Sequence, residues 1–182
     1  MENKSSFIID TAQTIIVAAV IFFFIYWFLF RPFQVSGQSM MPTFKNGEYI
    51  LTNIISLKFS SPKKGDVIVF KAPEDQDKDF IKRVIGLPGD TVMVQGGSVY
   101  VNNQKLDESA YLDPSAQTYG GAGLQEGVTK TVPENDYFVM GDNRGNSSDS
   151  RTWGFLTKGA IIGRSIFVYW PVNAMRVVKN PY

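Results

Sequence analysis

Residues Thr11 to Phe30 read TAQTIIVAAVIFFFIYWFLF, and no other stretch of the 182-residue chain limits its architecture so strongly. From Ile15 to Phe30 there is no charge. Twenty residues at about 1.5 Å rise span roughly 30 Å, the thickness of a bilayer's hydrocarbon core. Tyr26 and Trp27 lie toward the C-terminal end, where amphipathic rings favour the membrane interface. Arg31 closes the run, and Pro32 discourages continuation of a helix. The pattern predicts one transmembrane helix, with residues 1–30 as N-terminal tail and anchor. Two other readings compete with it. A cleavable signal sequence has a small-x-small exit, where this chain has the bulky Phe30-Arg31-Pro32-Phe33. A buried core helix of a soluble protein carries a polar stripe, and none is present. Charge does not fix the orientation: Lys4 and the N-terminal amine are offset by Glu2 and Asp10, and Arg31 lies on the other side.

Past Arg31 the pattern changes to short segments rich in Val, Ile, Phe and Tyr, separated by turn residues. Glu48–Ile55, Asp66–Lys71, Phe80–Ile85, Thr91–Val94, Val99–Asn102, Tyr137–Met140 and Ser165–Trp170 read as strands. Gln95-Gly96-Gly97-Ser98 suits a hairpin turn, and Pro62 and Pro88-Gly89 mark other breaks. No later stretch sustains a helical period. The expected fold is mainly β, two packed antiparallel sheets or a distorted barrel in residues 31–182, behind the N-terminal helix. The roughly 150 residues available suffice for one domain. Residues 105–134 hold four glycines, two prolines and few large apolar side chains, and read as a surface insertion or long loop. Net charge is +1 with both signs interspersed, so no basic footprint for nucleic acid is present.

The chain contains no histidine and no cysteine. Disulfides, thiolate chemistry and the usual zinc ligands are excluded, and neither a metal nor a cofactor is expected. A serine nucleophile here needs another base, and a desolvated lysine is the main alternative. Lys82 stands in Phe80-Ile81-Lys82-Arg83-Val84-Ile85-Gly86. In a strand, Phe80, Lys82 and Val84 share one face and Ile81, Arg83 and Ile85 the other. Apolar flanks disfavour the ammonium form and lower its pKa. The bland alternative is a half-exposed strand with both cations in water. Ser39 stands in Ser36-Gly37-Gln38-Ser39-Met40-Met41-Pro42-Thr43. Its neighbours also suit a plain packed turn, although Gly37 permits close approach of a substrate backbone. Gly141-Asp142-Asn143-Arg144-Gly145-Asn146-Ser147-Ser148-Asp149-Ser150-Arg151 reads as an Asx-rich turn or a functional loop. A calcium loop is excluded because Arg144 stands where the pattern needs Asp or Asn, and no Glu closes it.

Taken together and in this order, four segments resemble the boxes of bacterial type I signal peptidases. They are Ser36–Thr43, Lys64-Gly65-Asp66-Val67-Ile68-Val69-Phe70, Lys82-Arg83-Val84-Ile85-Gly86-Leu87-Pro88-Gly89-Asp90, and Gly141–Arg151. The single span and compact size resemble the Gram-positive form. The resemblance implies a membrane-anchored serine endopeptidase acting on signal peptides of exported preproteins, with its catalytic domain on the outer face of the plasma membrane. It makes Ser39 the nucleophile and Lys82 the general base. Ser147 corresponds to the serine that orients the lysine amine. Asp149 with Arg151, and Asp142 with Arg83, correspond to supporting ion pairs. Phe33, Val35, Met40 and Ile81 correspond to positions near the dyad and the substrate pocket. Gly37 stands where some members place a second oxyanion serine, which leaves backbone N–H groups, chiefly that of Ser39. The alternatives in function are a processing peptidase of the same fold with one dedicated substrate, a self-cleaving repressor type, and a non-catalytic anchored β-domain.

Overall fold

The computed structural model describes residues 4–182, save the side chains of residues 4–6 and 25–27. Glu2, the N-terminal amine and the side chains of Lys4, Tyr26 and Trp27 therefore lie outside the described residues. All of the apolar run but its last residue, Phe30, lies within one helix, α1 (Lys4–Leu29). Phe7–Phe24 has a mean hydropathy of 2.2, and none of that window is buried. A helix that is apolar all round and uncovered by its own protein is long and apolar enough to cross a membrane. It does not end in a loop: Phe30 begins a strand directly.

That strand, β1 (Phe30–Gln34), heads a large antiparallel sheet. Its other members are β2 (Tyr49–Asn53), β3 (Val67–Ala72) and β4 (Asp75–Gly86). A smaller sheet follows in the chain, from β5 (Thr91–Gln95), β6 (Ser98–Val101), β7 (Gln104–Lys105) and β8 (Thr129–Thr131). The large sheet is completed by β9 (Asp136–Met140), β10 (Leu156–Thr157), β11 (Ile161–Trp170) and β12 (Arg176–Val177). Its order is β1-β2-β11-β3-β4-β9-β10, with β12 on β11, and the small sheet runs β7-β6-β5-β8. The fold is thus mainly β with two antiparallel sheets behind one helix. Among the described residues, the only α-helical turns in the domain are α2 (Ser56–Phe59) and α3 (Ser150–Trp153).

Alternation along the strands builds the core from both sides of the large sheet. Ile68, Phe70, Val84, Tyr137, Val139 and Leu156 pack together in one cluster. Val35, Met40, Phe44, Ile50, Val67, Val69 and Val168 fill another, under the Ser39 segment. Ile85, Phe138 and Met140 meet Val92, Val94, Val99 and Val101 of the small sheet. Residues 105–134 contain little regular structure, yet Tyr111, Thr118, Leu124 and Val132 within them are buried.

One feature of register prepares the site. β3 pairs with β4 from Asp79 through Arg83, whereas β9 pairs with it only at Arg83, Val84 and Gly86. Residues 79–82 therefore keep one strand edge unpaired, which is a place for another extended chain to dock.

Candidate active site

Two segments meet along that edge. The chain leaving β1 turns at Gly37, whose φ of +95° lies in the region that favours glycine, and whose N–H donates to Asn46 Oδ1 at 2.8 Å. Two residues on, Ser39 Oγ lies 2.8 Å from Lys82 Nζ. The amine also donates to the Ile81 carbonyl oxygen at 3.0 Å, and it sits 5.2 Å from the centre of the Phe80 ring. Phe80 and Lys82 thus share a face, as the alternation predicted. Lys82 is 3% exposed. Burial is the main influence on the amine and lowers its pKa from 10.5 to about 8, against the opposing pull of Asp149 and Asp142. No salt bridge reaches it among the described residues. The result is a lysine whose neutral form is far more populated at neutral pH than that of a free lysine, in hydrogen-bond reach of a hydroxyl. That is the geometry of a base beside a nucleophile.

The 141–151 loop forms the third side. The Asn143 N–H donates to the Ser39 carbonyl at 2.9 Å, and its side-chain amide donates to the Gln38 carbonyl at 3.1 Å. Gly141 lies so close that a Cβ there would meet Ser147 Oγ at 2.2 Å and the Ser39 oxygen at 2.4 Å. Asp142 takes a bidentate pair from Arg83, Nε at 2.9 Å and Nη2 at 2.7 Å. The third arm of Arg83 donates to the Gly65 carbonyl at 2.8 Å. Asp149 receives Arg151 Nε and Nη2, both at 2.8 Å, accepts the Gly141 N–H at 3.0 Å, and caps α3. Both pairs are buried and their hydrogen-bonding capacity is well used, the condition under which a buried ion pair is tolerated.

Two expected placements differ. Ser147 makes no hydrogen bond to the Lys82 amine; its Oγ is buried without a partner among the described residues, beside the Ser39 carbonyl. Lys82 instead spends its second bond on its own strand's carbonyl. Met40 does not line the groove. It points inward, 1% exposed, into the cluster under the Ser39 turn. Phe33, Val35 and Ile81 do line it, together with Ile50, Val69, Gly37, Ser39 and Lys82, around a cavity of about 470 Å³. Asn143 escaped the sequence reading because nothing in spacing announces a bond across more than a hundred residues; the only signal was its place in the polar loop. Among the described residues, the Ser39 N–H donates to no protein acceptor.

A crystal structure of a signal peptidase I from Enterococcus faecalis V583 matches at 32% identity and a TM-score of 0.48, over 58% of this chain and 97% of that one. The chain is 40% identical over 185 residues to signal peptidase I of Bacillus amyloliquefaciens, covering 97% of this chain and 96% of the relative. It is 39% identical over 180 residues to signal peptidase I S of Bacillus subtilis (strain 168), covering 96% and 95%. Signal peptidase IB of Staphylococcus aureus (strain MRSA252) is 37% identical over 179 residues, covering 92% of each. The family model described as "Signal peptidase, peptidase S26" matches residues 8–170. A family match from within α1 to the end of β11, with relatives matched over nearly their whole length, means that this chain belongs to the signal peptidase family, peptidase S26.

Proposed function

We propose that the protein is a membrane-anchored serine endopeptidase that removes signal peptides from exported preproteins through a Ser39–Lys82 dyad. The observation that carries this is the 2.8 Å approach of a buried amine to the Ser39 hydroxyl at the floor of an open groove. The neutral Lys82 amine takes the hydroxyl proton as Ser39 Oγ attacks the scissile carbonyl carbon. The Ser39 N–H, free of acceptors among the described residues, faces the developing oxyanion. The Lys82 ammonium then protonates the leaving amine, giving the mature protein's new N-terminus and an acyl group on Ser39. Water attacks that ester with Lys82 again as base, which releases the signal peptide and restores the hydroxyl. Ser147 is assigned as the hydroxyl that orients the amine, because its Oγ is buried and unspent beside Ser39. Asp142 with Arg83 and Asp149 with Arg151 hold the loop against the lysine strand.

The substrate binds extended, its backbone pairing with the open edge at residues 79–82 and its alternate side chains dropping between Phe33, Val35, Ile50, Val69 and Ile81. Such shallow apolar walls favour small side chains at the first and third positions before the cut. Helix α1 supplies a single-pass anchor in the plasma membrane, with residues 31–182 on the extracytoplasmic face. The run from Arg31 to Gln38 reaches at most about 28 Å, so Ser39 works close to the bilayer. The test is cleavage of several unrelated preproteins by the detergent-solubilised protein and by Lys82→Ala. The variant is expected to lose processing of all of them. Processing at the normal rate by the variant overturns the dyad, and cleavage of one preprotein alone overturns general processing.

A further inference from the structure

Residues 105–134 take no part in the reaction above, yet they grip the 141–151 loop at two points. At the first, Arg144 donates Nη1 to Glu108 Oε2 at 3.0 Å and to Thr118 Oγ1 at 2.8 Å, and its Nη2 makes a still shorter contact with Glu108 Oε1. The same guanidinium donates Nε to the Gly141 carbonyl at 3.0 Å. The Arg144 side chain is 1% exposed and that of Glu108 10%, so this pair is shielded from water. At the second, the N–H groups of Gly123 and Leu124 converge on the Arg151 carbonyl at 2.7 and 3.1 Å, and Arg151 Nη1 donates to the Tyr119 carbonyl at 3.3 Å. A Cβ on Gly121 would stand 2.5 Å from the Arg151 oxygen, and one on Gly123 2.7 Å from the Ser150 oxygen. Only glycine permits backbones to approach so closely. Tyr111 links this segment to the lysine strand: its hydroxyl donates to Glu108 at 2.8 Å, and its ring lies 4.1 Å from the Arg83 guanidinium.

We propose that residues 108–124 form a brace that fixes the 141–151 loop against Ser39, with Glu108 and Thr118 as positioning residues for the peptidase reaction. The proposal rests on the Ser39–Lys82 reading. The loop carries Asn143, which holds the Ser39 carbonyl, so the Ser39 backbone moves when the loop moves. A displacement of about 1 Å at reacting groups can cost on the order of 10²-fold in rate. The apolar groove walls at Phe33, Val35, Ile50, Val69 and Ile81 belong to other elements, and the loop itself adds only the polar Asn146 and Ser148 to the cavity, so kcat is expected to change more than KM.

The experiment compares kcat and KM for preprotein cleavage by full-length wild type, Glu108→Gln and Thr118→Val in detergent, with the folded fraction taken from tryptophan-fluorescence melting curves. Per folded molecule, kcat is expected to fall about tenfold in Glu108→Gln and about threefold in Thr118→Val, with KM within about threefold of wild type. Wild-type kcat in folded variants, even with a lowered Tm, overturns the brace as a positioning element. An unchanged kcat with a raised KM overturns it too, because the segment would then act on substrate binding. If Glu108→Gln does not fold, Thr118→Val decides alone. Undiminished cleavage by Lys82→Ala in the same assay is the separate signature of failure of the dyad reading.

Discussion

Lys82 and Arg83 are consecutive on β4, 3% and 2% exposed, and their side chains leave opposite faces of the strand. On one face Arg83 meets a carboxylate, a carbonyl and an aromatic ring, and its charge is matched. On the other Lys82 meets a serine hydroxyl, a carbonyl and a phenyl ring, with Asp142 and Asp149 acting only from farther away. Equal burial therefore has opposite chemical results. A buried cation with its counter-ion in contact stays charged and serves as a strut. A buried amine without one gives up its proton readily and serves as a base. At equal depth the two roles follow from side chain and partner together: a guanidinium keeps its proton and needs a carboxylate beside it, whereas an amine without one in contact can release its proton.

The largest expected difference between the two positions is in rate. Ser39→Ala and Lys82→Met are each expected to lower kcat by roughly 10³- to 10⁶-fold, and the double variant to be no worse than either, because the two side chains act as a unit. Single-turnover cleavage of a preprotein measures this; multiplied losses in the double variant would mean independent roles. The next effect is on stability and has opposite signs at the two positions. Arg83→Met leaves Asp142 buried without its cation and is expected to cost about 3–5 kcal/mol in urea unfolding. Lys82→Met removes an uncompensated amine and is expected to stabilise by about 1–3 kcal/mol at neutral pH. Destabilisation by both would show that Lys82 is as well matched as its neighbour. The smallest effect is a slope. An unfolded lysine holds its proton up to about 10.5, whereas folded Lys82 releases it at about 8. The unfolded state therefore binds more protons across that window, and wild-type stability should rise with pH through it. In Lys82→Met that rise should disappear from the urea midpoint.

Much of this arrangement was legible in the sequence because it follows from short-range pattern. The uncharged run from Ile15 to Phe30 read as a long apolar helix, which it is as far as Leu29, and the alternation around Lys82 assigned its face. The strands that escaped notice, the two-residue β10 and β12 among them, are those without such a pattern. Thr129–Thr131 is wholly exposed, and Gln104–Lys105 is two polar residues held by its neighbour β6. β1 was hidden by Pro32, which is tolerated because β1 is an edge strand. The glycine-rich composition of 105–134 suggested a loop at the surface. In the fold, Gly121 and Gly123 instead allow tight contact with Arg151 and Ser150. The Glu108–Arg144 pair joins residues 36 apart with no periodicity between them, so local reading could not find it. Ser147 was expected to hold the lysine amine, but hydrogen-bond choice depends on side-chain geometry, and Lys82 bonds Ile81 instead.

The role of the Lys82 amine as base is read out by kcat/KM for preprotein cleavage as a function of pH, from about 6 to 10, because it reports ionisations of the free enzyme. With a neutral Lys82 amine as the base, the rate should rise with pH through a midpoint near 8 and then level off. A rate already at its plateau in mild acid, and flat from there upward, would contradict it.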